Sequence, residues 1–519
     1  MYPKITISAF RFFFACVFLS ISLINIQAQD QDVLNQTVRI TENKGAIYDL
    51  LKDISKQVGY FFIYDSQIID NNKKVKIPKG SYSLREAIHL ITKNEQLQIN
   101  LSGDYMLLRL ADENLPEMVQ EDFSVPHEHL TISGYLIDEE DEKGIAFASV
   151  SILNTSTGII ANQEGGFQLV IPDSLQAGKV KFSHIGYESR EIDIQLLKDQ
   201  MIELRLKPQV IPLQEIVISI VDPVQELNEM LGNRKNNYIS EPVYLMAFYR
   251  EGINHNNRNI DLTESVLQIY KTDYHKNARS DQVKLIKKRR LKNTQDTDTI
   301  FPQIRSGVQS CLILDIIKEL PDFIVPNDES QYTYFYQGKS MIDNKPVNII
   351  SFRQKSYIIE PLYTGELFIE AESKALVEVR FEINNEFVSK ATLLFIDKIS
   401  GGLKIDLQQA KYIVSYKLSD DGRYYINHVR GDIRFKVRQK KRLFSTPLDF
   451  WFEMVTCDIN TENAKTFPRR ERLSTSRIFA ETKHEYDKTF WENFNIILPE
   501  EELEEEILRN LNKILIVED

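Results

Sequence analysis

Val377, Val379, Phe381 and Ile383 alternate with Glu378, Arg380 and Glu382. Successive strand residues face opposite sides, so this spelling dictates a strand with one apolar and one polar face. Strands of this kind are expected at 331–340, 345–353, 365–369, 375–383, 391–399, 411–418, 423–436 and 450–458, with NNE, SGG and DDGR as hairpin turns between them. Asp222 to Gly232 reads as a helix, Leu245 to Arg250 as a strand, and 262–270 with 308–320 as mixed material. Such a chain must build a large antiparallel sheet, either closed in a membrane or open. A 22-strand barrel with a plug needs more than the roughly 300 residues after Val221. The polar stretch from Asp281 to Asp298, expected to interrupt the strands, the acidic helical pattern PEEELEEEILRNLNKIL and the final Asp519 favour the open, soluble sheet.

A second all-β segment spans 130–210. Ile132, Gly134 and Leu136, then Ala148, Val150 and Ile152, then Phe167, Leu169 and Ile171 alternate as half-buried strands do. Glycines punctuate them, and six or seven strands in so short a span make a β-sandwich.

Residues 36–110 have a different period. Ile47, Leu50, Leu51, Ile54 and Val58 form one helical stripe ended by Gly59. Ser83 and Glu86 spell a capping box for a second helix with Leu84, Ala87, Ile88 and Ile91 inward, and a hairpin follows from Leu97 to Leu110. This is a small α+β unit. Residues 111–129 are acidic, contain Pro116 and Pro126 and show no period, so they read as a linker. Its His127, Glu128 and His129 are better read as solvated than as a metal site, which needs more ligands rigidly held.

Lys4 and Arg11 precede an apolar run from Phe12 to Ile24 and a small residue at Ala28. This is expected to be a signal peptide over 1–28, too short to span a bilayer. Cys16 leaves with it, and whether Cys311 and Cys457 pair stays open. No later run has ~18 apolar residues, and the formal charge of −12 argues against nucleic acid as a partner.

Several sets of phrases resemble known families. LKDISKQVGYFFIY at Leu51–Tyr64, SLREAIHLIT at Ser83–Thr92 and DYMLLRL resemble the secretin and TonB N-terminal short domain. That resemblance implies a periplasmic module touching partners such as anti-sigma regulators. ISGYLID at Ile132–Asp138, IAFASVSI at Ile145–Ile152, NQEGGFQLVIP at Asn162–Pro172 and FSHIGYES at Phe182–Ser189 resemble the carboxypeptidase-regulatory-like domain of Bacteroidota envelope proteins. That implies a transthyretin-like sandwich acting as spacer or binding module, without peptidase activity. LQEIVISIV resembles the strand before the plug of starch-utilisation-type TonB-dependent receptors. As a free β-prone strand at 211–221, its Leu213, Glu215, Ile216, Val217 and Ile218 are candidates to add to a partner's sheet edge, TonB among them.

NKPVNIISFR and YTGELFIEAESKALVEVRF resemble the curved half-barrel of lipoprotein carriers. The region 222–519 is accordingly expected to be a half-barrel-like sheet with flanking helices, and Tyr334, Tyr336, Phe352, Phe368 and Phe381 are candidates to line a lipid cavity, although strand aromatics are more often core. FYREG at Phe248–Gly252 and FWENFNII at Phe490–Ile497 resemble an uncharacterised C-terminal region that accompanies the sandwich domain.

The chain has no Gly-rich phosphate loop, no HExxH and no GxSxG, and no cofactor is expected. Two basic runs, Lys284–Lys292 with Lys287, Lys288, Arg289 and Arg290 at its centre and Lys436–Arg442, suit either lipid phosphate or an acidic protein face, or a strand edge kept soluble by charge. The expectation is a multidomain α+β and all-β protein, exported to the periplasm or the periplasmic face of the outer membrane. It would be non-enzymatic and bind periplasmic or outer-membrane proteins. A lipid or lipoprotein carrier is the second reading, and a hydrolase without a recognised motif the third.

Overall fold

The computed structural model describes residues 33–110, 129–209 and 221–500, apart from short gaps within them. The expected signal peptide at 1–28, the expected linker to residue 128, the strand candidates Leu213, Glu215, Ile216, Val217 and Ile218, and the acidic stretch after Glu500 lie outside the described residues. The chain divides into two compact units near residue 124.

The first unit carries strands β1 (Thr37–Ile40), β2 (Lys44–Ala46), β3 (Phe61–Tyr64), β4 (Lys74–Lys76), β5 (Gly80–Ser83), β6 (Leu97–Ser102) and β7 (Tyr105–Leu110). They pair as β1–β5, β2–β4 and β3–β7–β6 around helices α1 (Ile47–Val58) and α2 (Leu84–Thr92). Ser83 Oγ accepts from the Glu86 amide at 3.3 Å and Glu86 Oε2 accepts from the Ser83 amide at 3.0 Å, so the capping box forms. Leu84, Ala87, Ile88 and Ile91 then face Leu51, Ile54 and Met106 in one core.

In the second unit, β8 (Leu130–Asp138), β9 (Ser149–Ile152), β10 (Gly158–Ile160), β11 (Gly166–Ile171), β12 (Lys179–Ser183), β13 (Arg190–Asp193) and β14 (Met201–Leu206) make two facing sheets, β10–β9–β12–β13 and β11–β8–β14. The expected sandwich is present. Gly165 sits at φ +81 where a Cβ would stand 2.3 Å from the Leu136 carbonyl oxygen, so only glycine closes this turn.

The rest of the unit is built on one ten-stranded open antiparallel sheet. Its strands are β15 (Val243–His255), β16 (Arg258–Lys271), β17 (Gln282–Lys292), β19 (Tyr332–Ile342), β20 (Lys345–Gln354), β21 (Tyr363–Glu370), β22 (Leu376–Ile383), β24 (Leu403–Leu418), β25 (Tyr424–Gln439) and β26 (Thr446–Asn460). The order is β17–β16–β15–β26–β25–β24–β22–β21–β20–β19, and the short β18 (Gln303–Ile304) and β23 (Ile396–Lys398) pair separately. Two sequence expectations fail here. The polar stretch from Asp281 does not interrupt the sheet, because 282–292 is itself strand β17. The strand expected at 391–399 is instead a 3₁₀ turn (Val388–Ala391), a helical turn (Thr392–Phe395) and only then β23.

The two faces of the sheet are covered differently. Against one face pack helix α3 (Pro223–Asn237), helix α4 (Gly307–Ile313) and the stretch to Val325, sharing a core with Tyr249, Phe352, Phe381 and Tyr412. Asp222 starts α3 by accepting from the amides of Val224 (2.8 Å) and Gln225 (3.2 Å). Against the other face packs the sandwich: Phe248, Val266, Val455 and Cys457 of the sheet enter the same core as Phe167, Leu169 and Phe182. The sandwich is therefore fused to the sheet and is not a free spacer. Cys311 and Cys457 are both free and buried, and they belong to different cores.

Candidate binding groove

The sandwich-side face carries a row of polar positions that the alternation predicts but whose burial it does not. Arg250 and Glu453 are fully buried, with Arg250 Nε 2.9 Å from Glu453 Oε2. Arg430 reaches the other carboxylate oxygen at 3.4 Å and His428 Nε2 lies 2.9 Å from it. Burial would raise the Glu453 pKa, but the Arg250 and Arg430 guanidiniums override it and hold the carboxyl well below the usual carboxylate range. Residues 494–500 close this cluster from above. Asn495 pairs with the Val170 backbone at 2.7 and 3.3 Å, Ile497 is buried in the sandwich core, and Arg250 donates to the Leu498 carbonyl (3.3 Å) and Glu500 (3.2 Å). These charges are sealed and act as structure.

The opposite face holds a second buried network. Lys271 Nζ bridges Asp281 (3.1 Å) and Asp315 (2.6 Å), and Lys318 Nζ meets Asp281 at 2.5 Å and the Thr272 carbonyl at 2.9 Å. Burial lowers the Lys318 pKa to about 8. Further along the same face, Tyr249 donates to Glu251 Oε2 at 2.5 Å, and burial pushes Glu251 up to about 7.

The aromatic residues expected to line a lipid cavity are divided between packing roles. The Phe323 ring stacks on Phe352 at 4.5 Å and packs against Phe381 at 5.2 Å, so the protein's own chain fills that space. Phe368 is buried beneath the Arg380 guanidinium, 4.9 Å away. Tyr334 and Tyr336 are partly buried against the same core as Phe323.

The central basic run is equally occupied. Lys288 is buried and donates to the carbonyls of Ala480 (2.8 Å) and Thr482, Arg289 pairs with Glu264, and Arg290 pairs with Asp261 and donates to the Ala480 carbonyl at 3.1 Å. Lys287 beside them is partly buried and also engaged. Burial lowers Lys288 to about 8. Lys288 and Arg290 of β17 thus hold residues 480–482 against the sheet.

Open space lies over the other face of the strands that carry Phe352 and Phe381, and these two residues are among those that border it. A groove of about 690 Å³ runs over β19–β22 and β24–β25 on the sandwich side of the sheet, within the usual range for ligand sites. Arg353, Glu366, Arg380, Glu382, Lys411 and Asp432 line it, three cations and three carboxylates, with Phe335 and Ile413 between them. Register places them as cross-strand neighbours: Glu366 faces Arg380, Glu382 faces Lys411, and Lys411 faces Asp432. Several are already tied: Arg380 to Glu378 (2.6 Å), Lys411 to Glu382 (3.6 Å), Asp432 to Arg430 (2.8 Å), and Arg353 over the Phe335 ring (4.6 Å). Sequence reasoning missed this groove, although the alternation of charges in VEVRFE at 377–382 is its visible trace. Among the described residues no group of three metal-type ligands converges, and no helix is long and apolar enough to cross a membrane.

The family description of the CarboxypepD_reg-like domain matches residues 132–218, which identifies the sandwich as a module of that kind without assigning the rest of the chain. No curated protein matches the chain. Similar solved structures include a putative outer membrane lipoprotein-sorting protein domain from Vibrio parahaemolyticus, at 8% identity over 47% of this chain and 95% of that one, with a TM-score of 0.22. A DUF1329 family protein from Desulfovibrio piger aligns at 10% identity over 47% and 96%, TM-score 0.20. A LolA superfamily protein from Nitrosomonas europaea aligns at 9% over 47% and 99%, TM-score 0.16. Scores this low carry no argument about ligand or activity.

Proposed function

We propose that the protein is a non-enzymatic recognition protein of the cell envelope, which binds an extended segment of a partner protein in the groove on the sandwich side of its sheet. The observation that carries this reading is the groove's lining of cations and carboxylates in alternation, on strands held rigid by neighbours on both sides. A peptide presents backbone dipoles and side chains of both signs and suits such a lining; an acyl chain does not. The apolar interior where a carrier would hold lipid is filled by Phe323. Sandwich and sheet share one core, so the sandwich braces the sheet on which the groove lies. The N-terminal unit supplies a second partner contact, with an anti-sigma regulator as the kind of partner that its sequence resemblance implies.

A photo-crosslinking residue at Gln337, exposed on the groove, tests this in the native envelope. Discrete protein adducts that are lost with Arg380→Glu are expected, while the same probe at Lys198 on the sandwich gives none of them. Lipid adducts alone, or protein adducts insensitive to Arg380→Glu, would overturn the reading.

A further inference from the structure

One end of the ten-stranded sheet has a surface that folding leaves unexplained. The β20–β21 connection carries Tyr357 and Ile359, 72% and 58% exposed, and the helical turn after β22 carries Leu393 and Leu394 at 70% and 65%. Phe444, between β25 and β26, is 83% exposed. These connections all leave the sheet at the same end, because β20, β22 and β25 run toward it and β21, β24 and β26 return from it. Two of them are tied together, Lys390 Nζ donating to the Ile359 carbonyl at 2.8 Å. The Leu393 turn is fixed to β24 where the Leu407 amide donates to Thr392 Oγ1 at 2.9 Å. Large apolar side chains grouped on connections and held outward by such ties mark a contact surface and not a collapsed core.

The charge around this patch runs opposite to that of the molecule. Lys404 stands opposite Arg438, and Lys436 opposite Asp406, on one face of the β24–β25 arm. With Lys355, Lys390 and Arg434 they make six cations at this end, against Glu360, Glu386, Asp406 and Asp449, in a protein whose net charge is −12. Lys404, Lys436 and Arg438 are exposed, and among the described residues Lys404 meets Asp406 at 3.7 Å. An aromatic and aliphatic tip ringed by lysine and arginine is the chemistry of an interfacial membrane contact: apolar tips enter the headgroup boundary and the cations meet anionic phosphate.

We propose that this end of the sheet docks on an anionic lipid bilayer, with Tyr357, Ile359, Leu393, Leu394 and Phe444 entering its surface layer and Lys390, Lys404, Lys436 and Arg438 contacting headgroup phosphates. The partner is a membrane surface and not an acidic protein, since five bulky apolar tips without a matching concavity fit a deformable layer. The groove opens on the same half of the strands, near Arg353, Glu382 and Lys411, so docking would hold its mouth beside the bilayer. The inference does not rest on what the groove binds.

The test uses the full mature chain and vesicles of neutral lipid alone or with about 30% anionic lipid, followed by flotation. Binding is expected to the anionic vesicles only and to fall as salt rises. Lys436→Glu with Arg438→Glu should weaken partition by roughly tenfold or more, and Tyr357→Ser with Leu393→Ser and Leu394→Ser should abolish it. All five positions lie at the surface, and an unchanged melting curve confirms that the variants fold. A Phe444→Trp variant should show blue-shifted emission on vesicle addition. Absence of flotation with anionic vesicles overturns the proposal, as does flotation insensitive to both sets of substitutions. Loss of the Gln337 adducts in these variants without any vesicle binding overturns it too, and assigns the patch to a protein partner.

Discussion

The two faces of the ten-stranded sheet are built from the same alternating strands and are buried by opposite means. On the α3 and α4 side, aromatic rings close the interior, Phe323 lying flat on Phe352. On the sandwich side, a charged row from Arg250 through Glu453 to Arg430 is sealed by the sandwich and by residues 494–500. Alternation therefore fixes which residues share a face, but not which face meets water. The ligand space follows the same division. The groove lies on the charged face beyond the sandwich, while on the apolar face Phe323 packs against Phe352 and Phe381.

One of the two largest expected effects comes from the charged face. Glu453→Gln removes the buried carboxylate that Arg250 and Arg430 share, leaving them Glu500 and Asp432 at the edge of the cluster, and should destabilise the protein by about 3 kcal/mol in urea unfolding at pH 7. Replacing Glu453 by Leu together with Arg250 by Met should recover much of that loss. Because the Glu453 pKa is depressed, its contribution is present above the ordinary carboxylate range and disappears only as pH falls through the lowered value. A loss below about 1 kcal/mol for Glu453→Gln would mean that water reaches this cluster and that the two faces are less different than their burial indicates.

Legibility in the sequence followed the range over which each structure is determined. The Ser83 capping box and the strand over Val377 to Ile383 depend on neighbours within a few residues, and both were readable. The sandwich was readable because its strands are short and glycine-punctuated. Strand β17 was readable as a charged strand edge, and it does lie at the edge of the sheet, but the pairing of its basic residues was not readable. Their partners Glu264 and Asp261 sit on β16, and register is not written in either segment alone. The turn at 392–395 was obscured by residues with strand character, overridden by the packing of Phe395 on Phe435. Least legible was the closing segment 494–500. Asn495 meets Val170 at a separation of 325 residues and Glu500 meets Arg250 at 250, and no local pattern encodes either contact.

On the aromatic face, Phe323→Ala should cost about 3 kcal/mol, the transfer and cavity terms of a buried ring. It should also open a dry space beside Phe352 and Phe381 that takes up a small aromatic probe, measurable as a ligand-induced rise in melting temperature. An uptake by the wild-type protein equal to that of the variant would show that the interior already has room, and would reopen the carrier reading.

The smallest effect is also the one that separates the faces by sign. Burial raises Glu251 to about 7 from an ordinary 4.5, so the folded state holds a proton that the unfolded chain releases. Its stabilising effect is complete below pH 4.5 and is lost as pH rises toward and through 7, the reverse of Glu453. Glu251→Gln keeps an acceptor for the Tyr249 hydroxyl and carries no charge to desolvate. The variant should match the wild type near pH 4.5 and exceed its stability by about 2 kcal/mol at pH 8.5. Urea midpoints across that range measure the difference. A variant that parallels the wild type at every pH would mean that Glu251 is ionised in the folded protein, its charge compensated by Lys288 and Arg290 across the same face.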